Sequence, residues 1–190
     1  MKKYLLIGSA PYIKGWYHAF GRAFLDAGFE LVAMNNAWAI DEENVGRWVH
    51  GNDFHARGTL KPTWEQQCNW RGIETDNKYP MKPYSYEYGN GSGTTILNAL
   101  CHLLNVSVGV KSKCLVAIAG ADCIYTEDNS YFYGKGGSPD PLRFGEHWLV
   151  TELERIHEFY KIEKCKVFNV GGAERSLLPF KAKTPKELAI

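Results

Sequence analysis

The sequence predicts an α/β fold of Rossmann-like build, a doubly wound and mainly parallel sheet of about five or more strands with a long irregular insertion. Three observations predict it. Short apolar runs alternate with stretches of helical period, and each run stops at glycine or asparagine. The opening also reads strand, turn, helix, strand, an order that requires a crossover and hence a parallel pair.

Residues 4–8 (YLLIG) form an apolar run that ends in the turn Gly8, Ser9, Ala10, Pro11, as a buried parallel strand ends at its carboxyl side. Residues 16–27 place Trp16, Ala19, Phe20, Ala23, Phe24 and Ala27 on one helical face, and Gly28 closes that helix. Residues 29–35 (FELVAMN) are a second strand and RWVHGN, ending at Asn52, a short third. Residues 55–90 show no clear period and are rich in Pro, Trp, Tyr, Gly and Asn. A structureless stretch of that length is uncommon in a compact domain, so it is read as a functional lid or as short elements that periodicity does not resolve.

Gly91, Ser92 and Gly93 lead into TTILNALCHLLNVSV, a helix with Ile96, Leu97, Leu100, Leu103 and Leu104 inward and Ser92 as its candidate cap. Residues 114–120 (CLVAIAG) are the most strand-like run and belong at the centre of the sheet. Residues 121–146 are polar, glycine-rich and aromatic, a second loop or lid region. Residues 147–160 are a helix carrying Trp148, Leu149, Leu153, Ile156, Phe159 and Tyr160, and residues 164–170 (KCKVFNV) a last strand ended by Gly171 and Gly172. Residues 176–190 read as a turn of helix and a short C-terminal helix. With no repeat, low-complexity tract or linker, residues 1–190 are expected to form one nucleotide-binding domain.

Hydrophobic residues are 45% and charged residues 23% of the chain, the profile of a sequence that folds unaided. Lys plus Arg number 22 against 21 for Asp plus Glu, so no overall field draws the chain to nucleic acid or an anionic membrane, and an anionic ligand must be held locally. Gly8, Ser9 and Pro11 cut the first apolar run short of a signal peptide's core, and no run reaches the ~18 apolar residues of a membrane span. The five cysteines form no CxxC pair, which fits reduced thiols, no zinc site and a cytoplasmic compartment.

In open parallel sheets ligands bind outside the carboxyl ends of the strands, near the point where strand order reverses. The candidate ends here carry Gly8, Ser9, Ala10 and Pro11; Asn35 and Asn36; Gly51, Asn52 and Asp53; Gly120, Ala121 and Asp122; and Asn169, Gly171 and Gly172. Glycine admits close backbone approach and asparagine offers donor and acceptor, a neutral cradle for a sugar or base. Turn chemistry selects the same residues at any single position, so their coincidence at five ends carries the reading. The first turn is neither GxGxxG nor a Walker loop. Asp122 stands where an acid contacts ribose hydroxyls, a substrate or a metal, or caps a helix. Lys135, Arg143 and Arg175 are available to pair an anion, and with no DxD after a strand neither a metal nor a cofactor is expected.

Patches across most of the chain resemble the bacterial sialyltransferases of glycosyltransferase family 42 and the related MptE-like proteins. YLLIGSAPYIKGWY is similar to that family's opening strand and G-x-G-P-S turn, LVAMNNAW to its second strand ending in asparagine, and WVHGN to its third. GSGTTILNALCHLLNVSVGVKSKCLVAIAGADCIY followed by NSYFYG resembles its Ser-Gly helix, central strand, G-x-D turn and paired tyrosines, and FNVGGAERSLLPF its closing elements. Ser9 departs from the family's asparagine.

The resemblance implies that a nucleotide-activated sugar is bound by the turn from Gly8 to Pro11, by Asn35 or Asn36, and by Asn52, Ser92, Gly93, Gly120 and Asp122. It implies that Tyr125 and Tyr131 hydrogen-bond the departing phosphate and that His147 is the general base, although the family's motif around that histidine is absent. The MptE-like side implies instead a magnesium-dependent transfer of pyrophosphate from ATP to a hydroxymethylpterin. A non-catalytic nucleotide-binding or assembly module is the third reading. The acceptor, a sugar or a modified nucleobase, and homo-oligomer formation stay open.

Overall fold

The computed structural model describes residues 1–51, 60, 62–63, 66, 70–75, 94–124, 130–131, 134–135, 146–172 and 176–188, with backbone alone at 51, 71–75, 130–131, 134–135 and 146–147. In chain order it contains β1 (Lys2–Ile7), α1 (Ile13–Asp26), β2 (Glu30–Met34), a 3-10 helix (Asn35–Ile40), β3 (Val45–Gly51) and β4 (Arg71–Thr75). There follow α2 (Thr95–Gly109), β5 (Cys114–Ala119), β6 (Ser130–Tyr131), β7 (Gly134–Lys135), α3 (Glu146–Ile162), β8 (Lys166–Asn169) and a second 3-10 helix (Pro185–Leu188).

Six strands form one parallel sheet in the order β4-β3-β2-β1-β5-β8, and β6 pairs antiparallel with β7 apart from it. The chain steps outward from β1 to β4, then crosses back to lay β5 on the other side of β1. Strand order therefore reverses between β1 and β5.

Side chains alternate across the sheet as the pleat requires. Leu5 and Ile7 pack on one face with Ile13, Trp16 and Phe24 of α1, whereas Tyr4 and Leu6 pack on the other with Leu97 and Leu100 of α2 and Leu153 and Ile156 of α3. All six residues of β5 are buried. Covering both faces accounts for the apolar runs Tyr4–Ile7, Leu31–Met34 and Cys114–Ala119 within β1, β2 and β5, and each fully buried aliphatic side chain contributes about 1.5–3 kcal/mol.

Helices α1, α2 and α3 return to the sheet through the same turn. Gly28 follows α1 at φ 81°, Lys111 follows α2 at φ 53° and Lys164 follows α3 at φ 54°. In each the next amide reaches back five residues: Phe29 to the Phe24 carbonyl at 3.0 Å, Ser112 to Ser107 at 2.9 Å, and Cys165 to Tyr160 at 2.8 Å. This Schellman arrangement satisfies helix carbonyls and aims the chain into the next strand.

Several elements differ from the expectations. α1 begins at Ile13, so its buried face runs through Ile13, Trp16, Tyr17, Gly21 and Phe24, and Phe20 stays 39% exposed. α2 is capped by Thr94, whose Oγ1 accepts from the Leu97 amide at 3.4 Å, not by Ser92. β4, RGIET, escapes periodicity because it holds a single apolar residue. The C-terminal helix is one 3-10 turn, begun where Thr184 and Glu187 cap each other reciprocally.

Beneath α2 lies a buried polar group. Arg47 of β3 is 5% exposed, its Nε lies 2.9 Å from Oε1 of Glu30, and its Nη1 lies 3.4 Å from Nε2 of His102. Burial, helped by the Arg47 charge, pushes the His102 pKa down to about 4, so the ring is neutral at pH 7 and can accept from arginine.

Candidate functional site

The reversal of strand order places the carboxyl ends of β1 and β5 where α/β sheets form their ligand crevice. Backbone bonds fasten the two turns there. The Gly8 amide donates to the Ala119 carbonyl at 2.9 Å and the Ala10 amide to the Gly120 carbonyl at 3.0 Å. A Cβ on Gly8 would overlap the Gly120 carbonyl oxygen, and one on Gly120, which sits at φ 69°, would lie 2.8 Å from Cγ1 of Ile13. The space that these glycines leave open is filled by protein. Ser9 and Ala10 are half-buried and Pro11 is exposed on the rim.

Tyr12 bridges the two turns. Its hydroxyl accepts from the Gly120 amide at 3.2 Å and donates to Oδ2 of Asp122 at 2.5 Å. Burial, then the bond to the carboxylate, raise its pKa far above the ordinary tyrosine value. Asp122 is 8% exposed, and its Oδ1 has no hydrogen-bond partner among the described residues. Burial raises its pKa, while the hydroxyls of Tyr12 and nearby Ser176 act in the opposite direction. Its position is set by the turn, with Gly120 and Cys123 both at positive φ and the Asp122 carbonyl accepting from the Leu177 amide at 2.9 Å. Residues 121–124 are not helical, so Asp122 caps no helix.

The end of β2 adds a second polar group. Asn35 adopts the left-handed conformation at φ 48°, which asparagine tolerates better than most residues. Its carbonyl accepts from Nε1 of Trp48 at 2.8 Å and its Oδ1 from the Thr95 hydroxyl at 3.4 Å, so the amino terminus of α2 stands beside the end of β2. The positive end of a helix dipole favours an anion there. Asn36 is 4% exposed and its Oδ1 accepts from the Leu60 amide at 3.2 Å. Of the two asparagines, Asn35 is the one at the α2 terminus.

At the last strand, Oδ1 of Asn169 accepts from the Gly171 amide at 3.1 Å, the local turn chemistry of a strand end. Asn52, Ser92, Gly93, Tyr125, Arg143 and Arg175 lie outside the described residues. The backbone places Tyr131 in β6, Lys135 in β7 and His147 as the second residue of α3. The structure thus brings together Gly8, Ser9, Ala10, Gly120 and Asp122, with Asn35 one strand away.

Tyr12, Thr94 and Thr95 were not singled out from the sequence. Thr94 and Thr95 immediately precede an apolar periodic run, which is a helix-start signal. For Tyr12 the signal is an aromatic residue in the first strand-to-helix turn, where the fold brings it over the neighbouring strand end. Among the described residues no group of three or more His, Cys, Asp or Glu side chains is placed to hold a metal ion, and no helix is long and apolar enough to cross a membrane. Comparisons with family models, curated proteins and solved structures found no match to this chain.

Proposed function

We propose that the chain is a glycosyltransferase-like enzyme that holds a nucleotide-activated sugar over the carboxyl ends of β1, β2 and β5. The supporting observation is the Asp122 carboxylate, nine-tenths buried at the reversal of strand order with one oxygen tied to Tyr12 and the other unpartnered among the described residues. A buried acceptor without a donor costs free energy, about 1–3 kcal/mol, which a ligand hydroxyl would recover. Sugar nucleotides present such hydroxyls on the ribose and the sugar.

In this reading the phosphate lies at the amino terminus of α2, where Asn35 and the first-turn amides meet it. Tyr125 and Tyr131 donate to the leaving phosphate and stabilise the charge that develops there. His147, in the first turn of α3, takes the proton from the acceptor hydroxyl as the acceptor oxygen bonds the sugar carbon and the bond from that carbon to the phosphate oxygen breaks, the nucleotide phosphate leaving with the electron pair. Asn52, Ser92 and Gly93 complete the donor cradle.

The test is a thermal-shift panel of nucleoside monophosphates, diphosphates and sugar nucleotides, each with and without EDTA. A ligand at 100 times its Kd raises stability by about 2.7 kcal/mol. The expected result is an EDTA-insensitive rise with one sugar nucleotide. Stabilisation by ATP that EDTA abolishes would favour pyrophosphate transfer, and no response to any member would contradict nucleotide binding.

A further inference from the structure

The opposite end of the sheet carries a surface unrelated to the crevice. Helices α2 and α3 reach it through Lys111 and Lys164, lysines at the left-handed position that Gly28 fills after α1. Glycine adopts that backbone more easily, so lysine there puts a long cationic side chain at a turn apex against local preference. Beside them Val110 is 57% and Ile162 67% exposed, and Met1, at the start of the adjacent β1, is 69% exposed. Lys113 and Lys166, also exposed, flank the two apices.

The acids nearby are largely engaged. Glu158 pairs with Lys161 at 2.6 Å, Asp26 with Arg22 at 2.9 Å and Glu30 with Arg47 at 2.9 Å. Glu163 is half-buried on this rim, and Asp41, Glu42 and Glu43 lie before β3, two strands beyond β1. Among the described residues no acidic side chain pairs with Lys111, Lys113, Lys164 or Lys166. A chain of net charge +1 thus concentrates unpaired lysines on one rim.

We propose that this rim docks on an anionic lipid surface, with the lysines on headgroup phosphates and Val110 and Ile162 passing between them. The exposed aliphatic tips select this occupant. A nucleic acid backbone would satisfy the lysines and leave those tips in water, whereas a bilayer takes both. Docking by this end turns the candidate crevice away from the membrane.

The test is sedimentation of the full chain with phosphatidylcholine vesicles, with and without phosphatidylserine, at low and high salt. Binding should require phosphatidylserine and weaken with salt. Each lysine near an anionic surface contributes about fivefold, so Lys111→Gly with Lys164→Gly should weaken binding about 25-fold. Glycine suits both backbone positions, which keeps this variant folded. Val110→Ser with Ile162→Ser should weaken it several-fold at unchanged charge. Absence of phosphatidylserine-dependent binding, or equal binding by the glycine variant, would overturn the proposal. So would lysine-dependent binding to DNA or an acidic protein without vesicle binding.

Discussion

The Tyr12 hydroxyl donates to Oδ2 of Asp122 at 2.5 Å, and this bond joins the turn leaving β1 to the turn leaving β5 where strand order reverses. The Tyr12 hydroxyl oxygen also accepts from the Gly120 amide at 3.2 Å, so one phenol satisfies a buried amide and a buried carboxylate together.

Removing that hydroxyl should loosen both turns. Tyr12→Phe strands the Gly120 amide and one Asp122 oxygen, and urea unfolding should show a loss of about 1–3 kcal/mol. Because the Tyr12 bond lowers the Asp122 pKa, the variant should raise it further, read as a shift of the Asp122 carboxyl titration by NMR. A full-strength fold with an unmoved titration would show that the bond does not form in solution.

Two glycine substitutions should move stability in opposite directions. Gly8→Ala drives a methyl into the Gly120 carbonyl and should cost about 2–4 kcal/mol, so a side chain at Gly8 tests the fold and not the ligand. Gly15→Ala lies on the exposed side of α1 with nothing within 4 Å of the new atom and should gain about 0.5–1 kcal/mol. Chemical denaturation of the pair reads both signs.

His102 predicts a pH dependence. Its folded pKa, pushed down to about 4, lies below the unfolded 6.5, so between those values the unfolded chain binds a proton that the native ring refuses. Stability from this group is full above 6.5, falls as pH drops toward 4 and levels below. Asp122, whose pKa is raised, acts oppositely in acid, so the useful quantity is the difference between the parent and His102→Gln. That difference should shrink steadily as pH falls from 6.5 to 4; a pH-independent difference would place a normally titrating histidine there.

The buried cysteines should be inert. Burial pushes the thiols of Cys101 and Cys114 up to about 12, and all four described cysteines are buried. Native protein should react with a thiol reagent at these positions only as fast as it unfolds, and rapid native labelling of Cys114 would contradict the packing.

The sheet was legible because β1, β2 and β5 are buried on both faces, and their apolar runs end in residues that real turns need. β4 was not, since an edge strand with one apolar residue leaves no period to read. Within the candidate site, Gly8 and Gly120 were read as openings for a ligand, whereas their missing Cβ atoms make room for neighbouring protein. Tyr12 stayed hidden because its partners, Gly120 and Asp122, lie more than a hundred residues away and only the crossover brings them together.

In the proposed function Asp122 is kept for a ligand at a cost to the fold. Its folded pKa is raised by burial, so the carboxylate costs stability as pH rises from the unfolded value of 3.8 through the folded one. An asparagine in its place would still accept from Tyr12 without carrying charge. The decisive measurement is therefore urea stability at pH 7 and sugar-nucleotide binding, compared between the parent and Asp122→Asn. The account predicts equal or higher stability with binding weakened at least about tenfold. A variant that loses stability while binding the ligand as tightly as the parent would make Asp122 a structural residue and contradict the site.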